Sequence, residues 1–257
     1  MMRDSFYVGW AGNWSPRVVT IHMPSRPELA GLRLLFVTDI HMGDGRNPER
    51  QMDSLFARIA AVDADIILWG GDYAEGKWHK HVMKWICALH PRLGQYGVTG
   101  NNDHDMRHRR HQIPDGFELL VNEVAQVPVG DASLAIMGVD GVRETASDFG
   151  ILLPEREKQL RILLSHSPLA LHCMPNDPAL WPELILCGHT HGGQFNLFGL
   201  TPYSIGYERA NKHRHFYLNG QHQIGHAQLI VSNGIGTSKL PLRVGAPPEL
   251  HLVIFTN

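Results

Sequence analysis

Apolar runs alternate with helix-like periodicity along the first 100 residues. Each run is short and nearly continuous, as expected of buried strands, and the runs fall at residues 17–23, 32–38, 65–69 and 95–99. Apolar side chains then recur at helical spacing between the second and third runs, namely Met52, Leu55, Phe56, Ile59 and Ala60. This pattern predicts a helix from Pro48 to about residue 62, with Asn47 as its N-cap, and a second helix is predicted over residues 79–89. Strands that alternate with helices favour parallel βαβ units.

The pattern changes after residue 116, where shorter segments follow one another. It predicts a short helix at residues 154–160 and strands at residues 117–129, 133–139, 161–164, 184–186, 229–234 and 250–255. Residues 194–225 have only weak periodicity. Because no linker, repeat or low-complexity tract divides the chain, we expect a single domain over residues 1–257.

Composition limits the class of protein more than it identifies a partner. The chain is 43% hydrophobic and 19% charged, and its net charge of −2 gives no reason to expect nucleic acid. Three cysteines form no framework of paired spacings, which favours free thiols in a reducing compartment. The N-terminal stretch has no apolar run of the length of a signal peptide or a membrane span, so we expect a cytoplasmic protein. Seventeen histidines are unusual and direct attention to metal binding.

Polar side chains follow most of the predicted strands at the point where each strand ends. The set is Asp39, His41, Asp72, Asn101, His166, His189 and His191. Strand ends carry the site residues in α/β proteins, so these side chains are expected to converge. Three oxygen donors and four imidazoles exceed what one tetrahedral zinc site uses, and two metals that share a carboxylate fit better. Mixed nitrogen and oxygen ligation favours Mn, Fe, Zn or Co, so the expected cofactor is two divalent or trivalent ions of these elements.

The same residues carry a resemblance to a known family. The ordered motifs Asp39-x-His41, Gly71-Asp72, Gly100-Asn101, His166 and Gly188-His189-x-His191 resemble the calcineurin-like metallophosphoesterase superfamily over residues 33–191. Longer strings at residues 188–194 and 234–238 resemble a bacterial branch that includes relatives of UDP-2,3-diacylglucosamine pyrophosphatases.

This resemblance implies a fold and assigns each ligand to one of two metal ions. The fold would be a four-layer α/β/β/α sandwich with the site at one edge. Asp39, His41 and His191 would hold one metal and Asp72 would bridge the two ions. The second metal would take Asn101, His166 and His189.

One position departs from the family pattern. The family usually has a histidine directly after the motif asparagine, where this chain has Asn102. An amide cannot act as a general acid, a role typically worth about 10²–10⁴ in rate. Either His104 takes that role, or the leaving group departs without protonation, as in a pyrophosphate or an activated diester.

Three functions follow as hypotheses. The leading one is a phosphoesterase in which a metal-bridging hydroxide attacks a phosphodiester or pyrophosphate in line. The alternatives are a phosphomonoesterase that uses His104 or water as the acid, and a non-catalytic module that binds a nucleotide or phospholipid at the retained metal site.

The remaining predictions concern the substrate and the location. Three arginines of a basic run, Arg107, Arg109 and Arg110, are candidates for binding the phosphate of a small-molecule or lipid-linked substrate, although a solvated helix face is the more frequent explanation of such a run. Arg143 is a further candidate for facing the site. Peripheral contact with the inner membrane face is left open, with Trp10 and Trp14 as its candidate residues.

Overall fold

Two six-stranded sheets and a two-stranded ribbon form the framework of the protein. The structure is a computed structural model, and it describes residues 6–10, 15–43, 47–143, 146–154, 157–202 and 217–257. In chain order the strands of this part are β1 (Val8–Trp10), β2 (Arg17–Pro24), β3 (Arg33–Val37), β4 (Ile66–Trp69), β5 (Gln95–Gly97), β6 (Glu118–Leu119), β7 (Glu123–Val129), β8 (Ala132–Gly138), β9 (Gln159–Leu164), β10 (Leu184–Cys187), β11 (Gly220–Ile224), β12 (Ala227–Val231), β13 (Leu242–Val244) and β14 (Glu249–Thr256).

The α-helices lie mainly in the first half of the chain. They are α1 (Pro48–Ala61), α2 (His79–Cys87) and the short α3 (His104–His108), and the described part also holds several 3-10 turns. Pro48 occupies the first turn of α1, as predicted. Asn47 occupies the N-cap position, as predicted, but its backbone is left-handed and its side chain makes no capping hydrogen bond. Among the described helices, none is long and apolar enough to cross a membrane.

The first sheet has the strand order β2-β14-β3-β4-β5-β6, and the second has the order β11-β12-β10-β9-β8-β7. Strands β3, β4, β5 and β6 are mutually parallel, with α1 and α2 as crossovers between the first three, which confirms the predicted βαβ units. In the second sheet β8, β9, β10 and β12 are parallel, and β7 and β11 pair antiparallel at the edges.

Alternate residues of each strand point to opposite faces and build three apolar layers. Phe36 and Leu68 of the first sheet pack with Ile136 and Leu186 of the second, which forms the core between the sheets. The outer face of the first sheet packs on α1 and α2. The outer face of the second sheet packs on turns such as Phe149–Ile151 and Pro168–Cys173. The predicted four-layer α/β/β/α sandwich is thus confirmed, although 3-10 turns supply its fourth layer.

Two element predictions were wrong in the second half. Residues 117–129 are two strands in different sheets, because Asn122 between them takes left-handed backbone with φ of 57° and turns the chain. The helix predicted at residues 154–160 is also wrong where the structure describes it. Lys158 has positive φ, and Gln159 and Leu160 already pair with β8 as part of β9.

Candidate metal centre

Loops at the carboxyl ends of β3, β4, β5, β9 and β10 meet at one edge of the two sheets. These loops carry all seven residues predicted as metal ligands, so both sheets contribute to the cluster. The loops contact one another directly. Asp39 N donates to Gly71 O at 3.0 Å and His41 N donates to Asp72 O at 3.0 Å. His166 Nδ1 lies 2.7 Å from Gly70 O, which ties the second sheet to the first.

The backbone of the cluster is mostly left-handed. Positive φ angles occur at five of the seven predicted ligands, namely Asp39 (54°), His41 (47°), Asp72 (53°), His189 (70°) and His191 (53°). Residues other than glycine adopt this region at a cost of about 1–3 kcal/mol each, and such residues concentrate at functional sites. The strain indicates that the fold is built to hold these side chains in place.

Glycines allow the loops to approach closely. A Cβ atom on Gly188 would overlap Asp39 Oδ2, and one on Gly100 would overlap Asp72 Oδ1. Gly71 has φ of 90°, and its Cβ atom would meet the backbone of Gly100. The glycines that flank the ligands therefore leave the space that the carboxylates occupy.

The first group of ligand atoms belongs to Asp39, His41 and His191, and these atoms all lie within 4.8 Å of one another. His191 Nε2 is 3.6 Å from Asp39 Oδ1, and His41 Nε2 is 3.9 Å from the same oxygen. All three side chains are buried. His41 Nε2 has no hydrogen-bond partner in the structure, although buried polar atoms are nearly always paired. A buried imidazole nitrogen that makes no hydrogen bond fits the role of a metal ligand.

The second group contains Asn101, His166 and His189. Asn101 Oδ1 lies 3.1 Å from His166 Nε2 and 2.8 Å from His189 Nδ1. Those two nitrogens are 3.2 Å apart. His166 also forms a potential metal-binding set with Asp39 and Asp72.

Asp72 lies between the two groups. Its Oδ2 atom is 3.3 Å from His41 Nε2 and 3.5 Å from His166 Nε2. One carboxylate oxygen thus faces a histidine of each group, which is the placement expected of a bridging ligand.

The far side of two histidine rings is held by residues for which no role was predicted. His41 Nδ1 is 2.7 Å from Glu75 Oε1, and Arg243 Nη2 is 3.0 Å from His191 Nδ1. Both contacts fix the orientation of the ring. Glu75 accepts from His41 Nδ1 and so leaves the Nε2 lone pair of His41 to the metal, whereas Arg243 can only donate and therefore uses the Nδ1 lone pair of His191. Glu75 follows a strand end like the predicted ligands, which was a usable signal. Arg243 lies 52 residues beyond His191 in the sequence, and its spacing predicts no contact with that ring.

The surroundings raise the pKa of His41 and His166 and lower that of the other two histidines. Burial opposes protonation of His41, but its hydrogen bond to Glu75 and the charges of Asp72 and Asp39 outweigh burial and raise its pKa. Burial, together with the charge of His166, lowers the pKa of His189 to about 4. Burial and then the charges of His41 and Arg243 hold the pKa of His191 well below its usual value. Burial opposes protonation of His166, but Asp72 and Asp39 outweigh it and raise its pKa to about 10.

The pKa values of the two buried carboxylates, Asp39 and Asp72, are shifted in opposite directions. Burial raises the pKa of Asp39, and the charge of Asp72 adds to this effect. For Asp72, burial is outweighed by His166 and His41, so its pKa lies below the usual range. Metal ions would therefore replace protons on His41 and His166 and compensate the buried carboxylates, whereas His189 and His191 are already neutral.

Asp103 ties the loops together from behind the cluster. Its carboxylate accepts hydrogen bonds from Asp72 N at 2.7 Å, Gly100 N at 2.7 Å and Tyr73 N at 3.2 Å. His79 Nε2 lies 3.1 Å from the same carboxylate. No role was predicted for Asp103 or His79, because only the fold brings α2 to this loop.

The two predicted catalytic residues lie in different surroundings. Asn102 contacts the cluster, since its backbone N and its Nδ2 donate to Asp72 at 2.8 and 3.0 Å. His104 is exposed at the start of α3, and within the described residues no hydrogen bond links it to a predicted ligand.

The three arginines of the basic run do not form one phosphate site. Arg107 Nη1 lies 2.9 Å from the buried Asp140, and Arg110 Nη1 lies 2.9 Å from Glu123 at the surface. Arg109 lines a separate cavity of about 490 Å³ beside His79 and Met106.

A smaller cavity of about 270 Å³ opens directly beside the second ligand group. It is lined by Asn101, Gly141, Val142, Arg143, His166, Ser167 and His189. Arg143 therefore lies at the site, whereas the predicted basic run does not line this cavity.

Comparisons with known proteins agree with this arrangement. The calcineurin-like phosphoesterase family matches residues 32–193. The uncharacterized protein YpbG of Bacillus subtilis is 32% identical over 232 residues, which cover 86% of this chain and 80% of that protein. An uncharacterized metallophosphoesterase of Aquifex aeolicus is 25% identical over 248 residues, covering 91% and 88% of the two chains. A solved dimetal phosphatase from Danio rerio has a TM-score of 0.47 at 11% identity, over 89% of this chain and 94% of that one. The family match spans more than half of the sequence and contains every predicted ligand, and the chain therefore belongs to the calcineurin-like phosphoesterase family.

Proposed function

We propose that this chain is a dinuclear metal-dependent hydrolase of phosphodiester or pyrophosphate bonds. The observation that carries the proposal is the position of Asp72. A single oxygen of this buried carboxylate faces His41 at 3.3 Å and His166 at 3.5 Å, so that it is shared by the two ligand groups.

The donor set suits two ions of Mn, Fe, Zn or Co. Asp39, His41 and His191 would hold one ion, Asn101, His166 and His189 would hold the other, and Asp72 would bridge them. The buried, unpartnered His41 Nε2 supports this reading. When bound, the ions would supply Lewis acidity and an activated water at neutral pH.

Asn102 determines which leaving groups suit the site. Its side chain donates to Asp72 Oδ2, so it orients that carboxylate but has no acidic proton to give. A leaving group that departs as a stable anion, such as a phosphate or an aryl oxide, needs no such proton. An alkyl monoester does need one, because a general acid is typically worth about 10²–10⁴ in rate. The residues of the site therefore favour pyrophosphates and activated diesters.

The two alternative functions have less support. A monoesterase that relies on His104 lacks a supporting contact, because the imidazole is exposed at the start of α3. A non-catalytic binding module would have no need to retain all seven ligands in one buried cluster.

Metal content measured together with a substrate panel tests the proposal. The panel contains p-nitrophenyl phosphate, bis(p-nitrophenyl) phosphate and a nucleoside diphosphate sugar. We expect two ions per chain and turnover of the diester or the diphosphate. Asp72→Ala should lose at least one ion and nearly all turnover, because it removes the shared ligand.

Asp105→Ala serves as the matched control, since Asp105 is an exposed acid outside the cluster. This control should keep both metal and activity. Full metal content and undiminished turnover in Asp72→Ala would overturn the assignment.

A further inference from the structure

The cavity of about 270 Å³ lies to one side of the shared carboxylate. Its walls come from the second ligand group, through Asn101, His166 and His189, and from the loop of Gly141, Val142 and Arg143. His41 and His191 of the first group do not line it. A phosphoryl group in contact with Asp72 would therefore have this space next to it, open to a further part of the substrate.

The loop that forms the outer wall is rigidly attached. A Cβ atom on Gly141 would overlap Thr99 O and lie 2.6 Å from His166 Cβ, so the loop packs directly on the ligand-bearing segments. Asp140 Oδ1 accepts hydrogen bonds from Thr99 Oγ1 at 2.8 Å and from Val142 N at 3.1 Å. Arg107 lies against the other oxygen of Asp140 and partly balances its buried charge.

The next turn of this loop is held as well. Ala146 N donates to Arg143 O at 2.8 Å, and Asn122 Nδ2 donates to Ala146 O at 3.0 Å. The backbone of Arg143 is thus fixed at the rim of the cavity.

Arg143 supplies a cation at this rim. Its side chain is exposed, and no acidic residue in the described ranges forms an ion pair with it. Arg107 and Arg110, in contrast, both have acidic partners. A guanidinium presents parallel N–H donors that match phosphate oxygens, which makes an uncommitted arginine beside a phosphoryl site a natural anion receptor.

We infer that Arg143 binds a second, non-reacting phosphoryl group and so selects substrates with a diphosphate linkage. The inference rests on the proposed function, because it takes the reacting phosphorus to lie against Asp72. A monophosphate diester would place a neutral substituent in the cavity and would gain nothing from the positive charge. A diphosphate would place an anion there. The reactive and the non-reactive phosphate would then be recognised by different parts of the chain.

Arg143→Gln provides the test, with substrates that differ in the second phosphate. For a nucleoside diphosphate sugar, kcat/KM should fall about 10- to 100-fold, the range expected for loss of one charged hydrogen-bonded contact. For bis(p-nitrophenyl) phosphate, kcat/KM should change less than about threefold, and metal content should not change. Arg143→Lys should recover part of the loss, since it restores the charge without the fork. Arg50→Gln on the exposed surface of α1 should behave as wild type on both substrates.

Binding supplies a second measurement that does not depend on turnover. Calorimetry on the metal-loaded protein should show that Arg143→Gln weakens inorganic pyrophosphate about 10- to 100-fold and leaves orthophosphate unchanged. Equal losses for both substrates, or unchanged pyrophosphate binding, would overturn the role of Arg143. Failure of wild-type protein to bind metal or to hydrolyse any substrate would instead overturn the proposed function, so the two failures are distinguishable.

Discussion

At the scale of single residues, Asn102 stands where the family usually has a histidine. Its amide donates to Asp72 Oδ2 at 3.0 Å, which places this side chain within reach of the proposed metal bridge. An imidazole introduced at this position would carry a transferable proton to the same place. Under the proposed function, asparagine at residue 102 would favour leaving groups that need no proton, and histidine there would also serve those that need one.

We predict that Asn102→His extends the range of substrates. Turnover of phosphate esters with alkyl leaving groups should rise about 10²-fold or more, the lower end of the effect of a general acid. Turnover of an aryl diester should change little, because its leaving group needs no proton. Steady-state kinetics on matched alkyl and aryl esters measure the difference, with Asn102→Ala as the control. An equal change for both leaving groups would show that Asn102 has another role.

His79 makes stability depend on pH. Its Nδ1 lies 2.7 Å from Gly76 O and its Nε2 lies 3.1 Å from Asp103 Oδ1, so both nitrogens face acceptors and the charged imidazolium fits best. Burial lowers the pKa of His79, but the hydrogen bond and charge of Asp103 outweigh burial and raise it above 6.5. A raised folded-state pKa stabilises the protein below the unfolded-state pKa, and this stabilisation disappears as pH rises through the folded-state value.

We therefore expect His79→Gln to cost more stability at pH 6 than at pH 9. Urea unfolding of the metal-free protein at several pH values gives the difference in unfolding free energy between wild type and variant. That difference should shrink steadily as pH rises from about 6.5. His104→Gln, a change at an exposed histidine on α3, is the control for the loss of an imidazole as such. A difference for His79→Gln that is constant with pH would mean that the ring is neutral in the folded protein.

At the scale of elements, the loops that carry the predicted ligands approach one another so closely that some of their glycines leave no room for a side chain. Gly100 is the clearest case, because a Cβ atom added there would overlap Asp72 Oδ1 and the backbone N of Asp72. Gly100 lies in the loop after β5 and Asp72 in the loop after β4. A side chain at residue 100 should therefore disturb only these two loops.

We predict that Gly100→Ala displaces Asp72 and lowers metal content and activity together, while the far-ultraviolet circular dichroism stays that of wild type. Gly43→Ala is a matched control, because a Cβ atom at Gly43 would meet nothing nearer than 3.7 Å. Metal analysis and turnover of bis(p-nitrophenyl) phosphate compare the two variants. Wild-type metal content in Gly100→Ala would show that the loop can move apart without loss of the site.

The apolar runs predicted most strands correctly, because the burial of a strand is recorded in its own residues. Strands β3, β4, β9 and β10 are buried on both faces, which requires nearly continuous apolar sequence. The break between β6 and β7 was missed because Asn122 acts through tertiary contacts. Its Oδ1 accepts from Asp140 N at 2.9 Å and from Asp148 N at 3.0 Å, and these partners lie in later loops.

In the candidate site, too, features set by local sequence could be predicted and features set by tertiary contacts could not. Positions after strand ends can be read from the sequence, and those residues do converge. The residues that hold them, such as Arg243 behind His191 and His79 behind Asp103, come from other elements and have no spacing that reveals them. The metal ligation itself remains a prediction, which the metal analysis of Asp72→Ala tests.

At the scale of the whole molecule, exposed apolar side chains gather around the ribbon of β1 and β13. Phe6 stacks on Phe198 with ring centroids 5.7 Å apart, and Phe198 is 95% exposed. Trp10 of β1 is 66% exposed, and Leu200 and Leu240 are exposed as well. Trp14 lies outside the described residues. Peripheral contact with a membrane remains a prediction, and this surface is where it would occur.

The place of β14 in the first sheet determines when that sheet can form. Residues 249–256 lie between β2 and β3, which belong to the opposite end of the sequence. During synthesis, at about 5–20 residues per second, β2 and β3 leave the ribosome long before the strand that joins them. The nascent chain therefore carries unpaired strand edges until residue 256 emerges. Because Asp39 and His41 follow β3 directly, we expect the metal ligands to assemble only after residues 249–256 have left the ribosome.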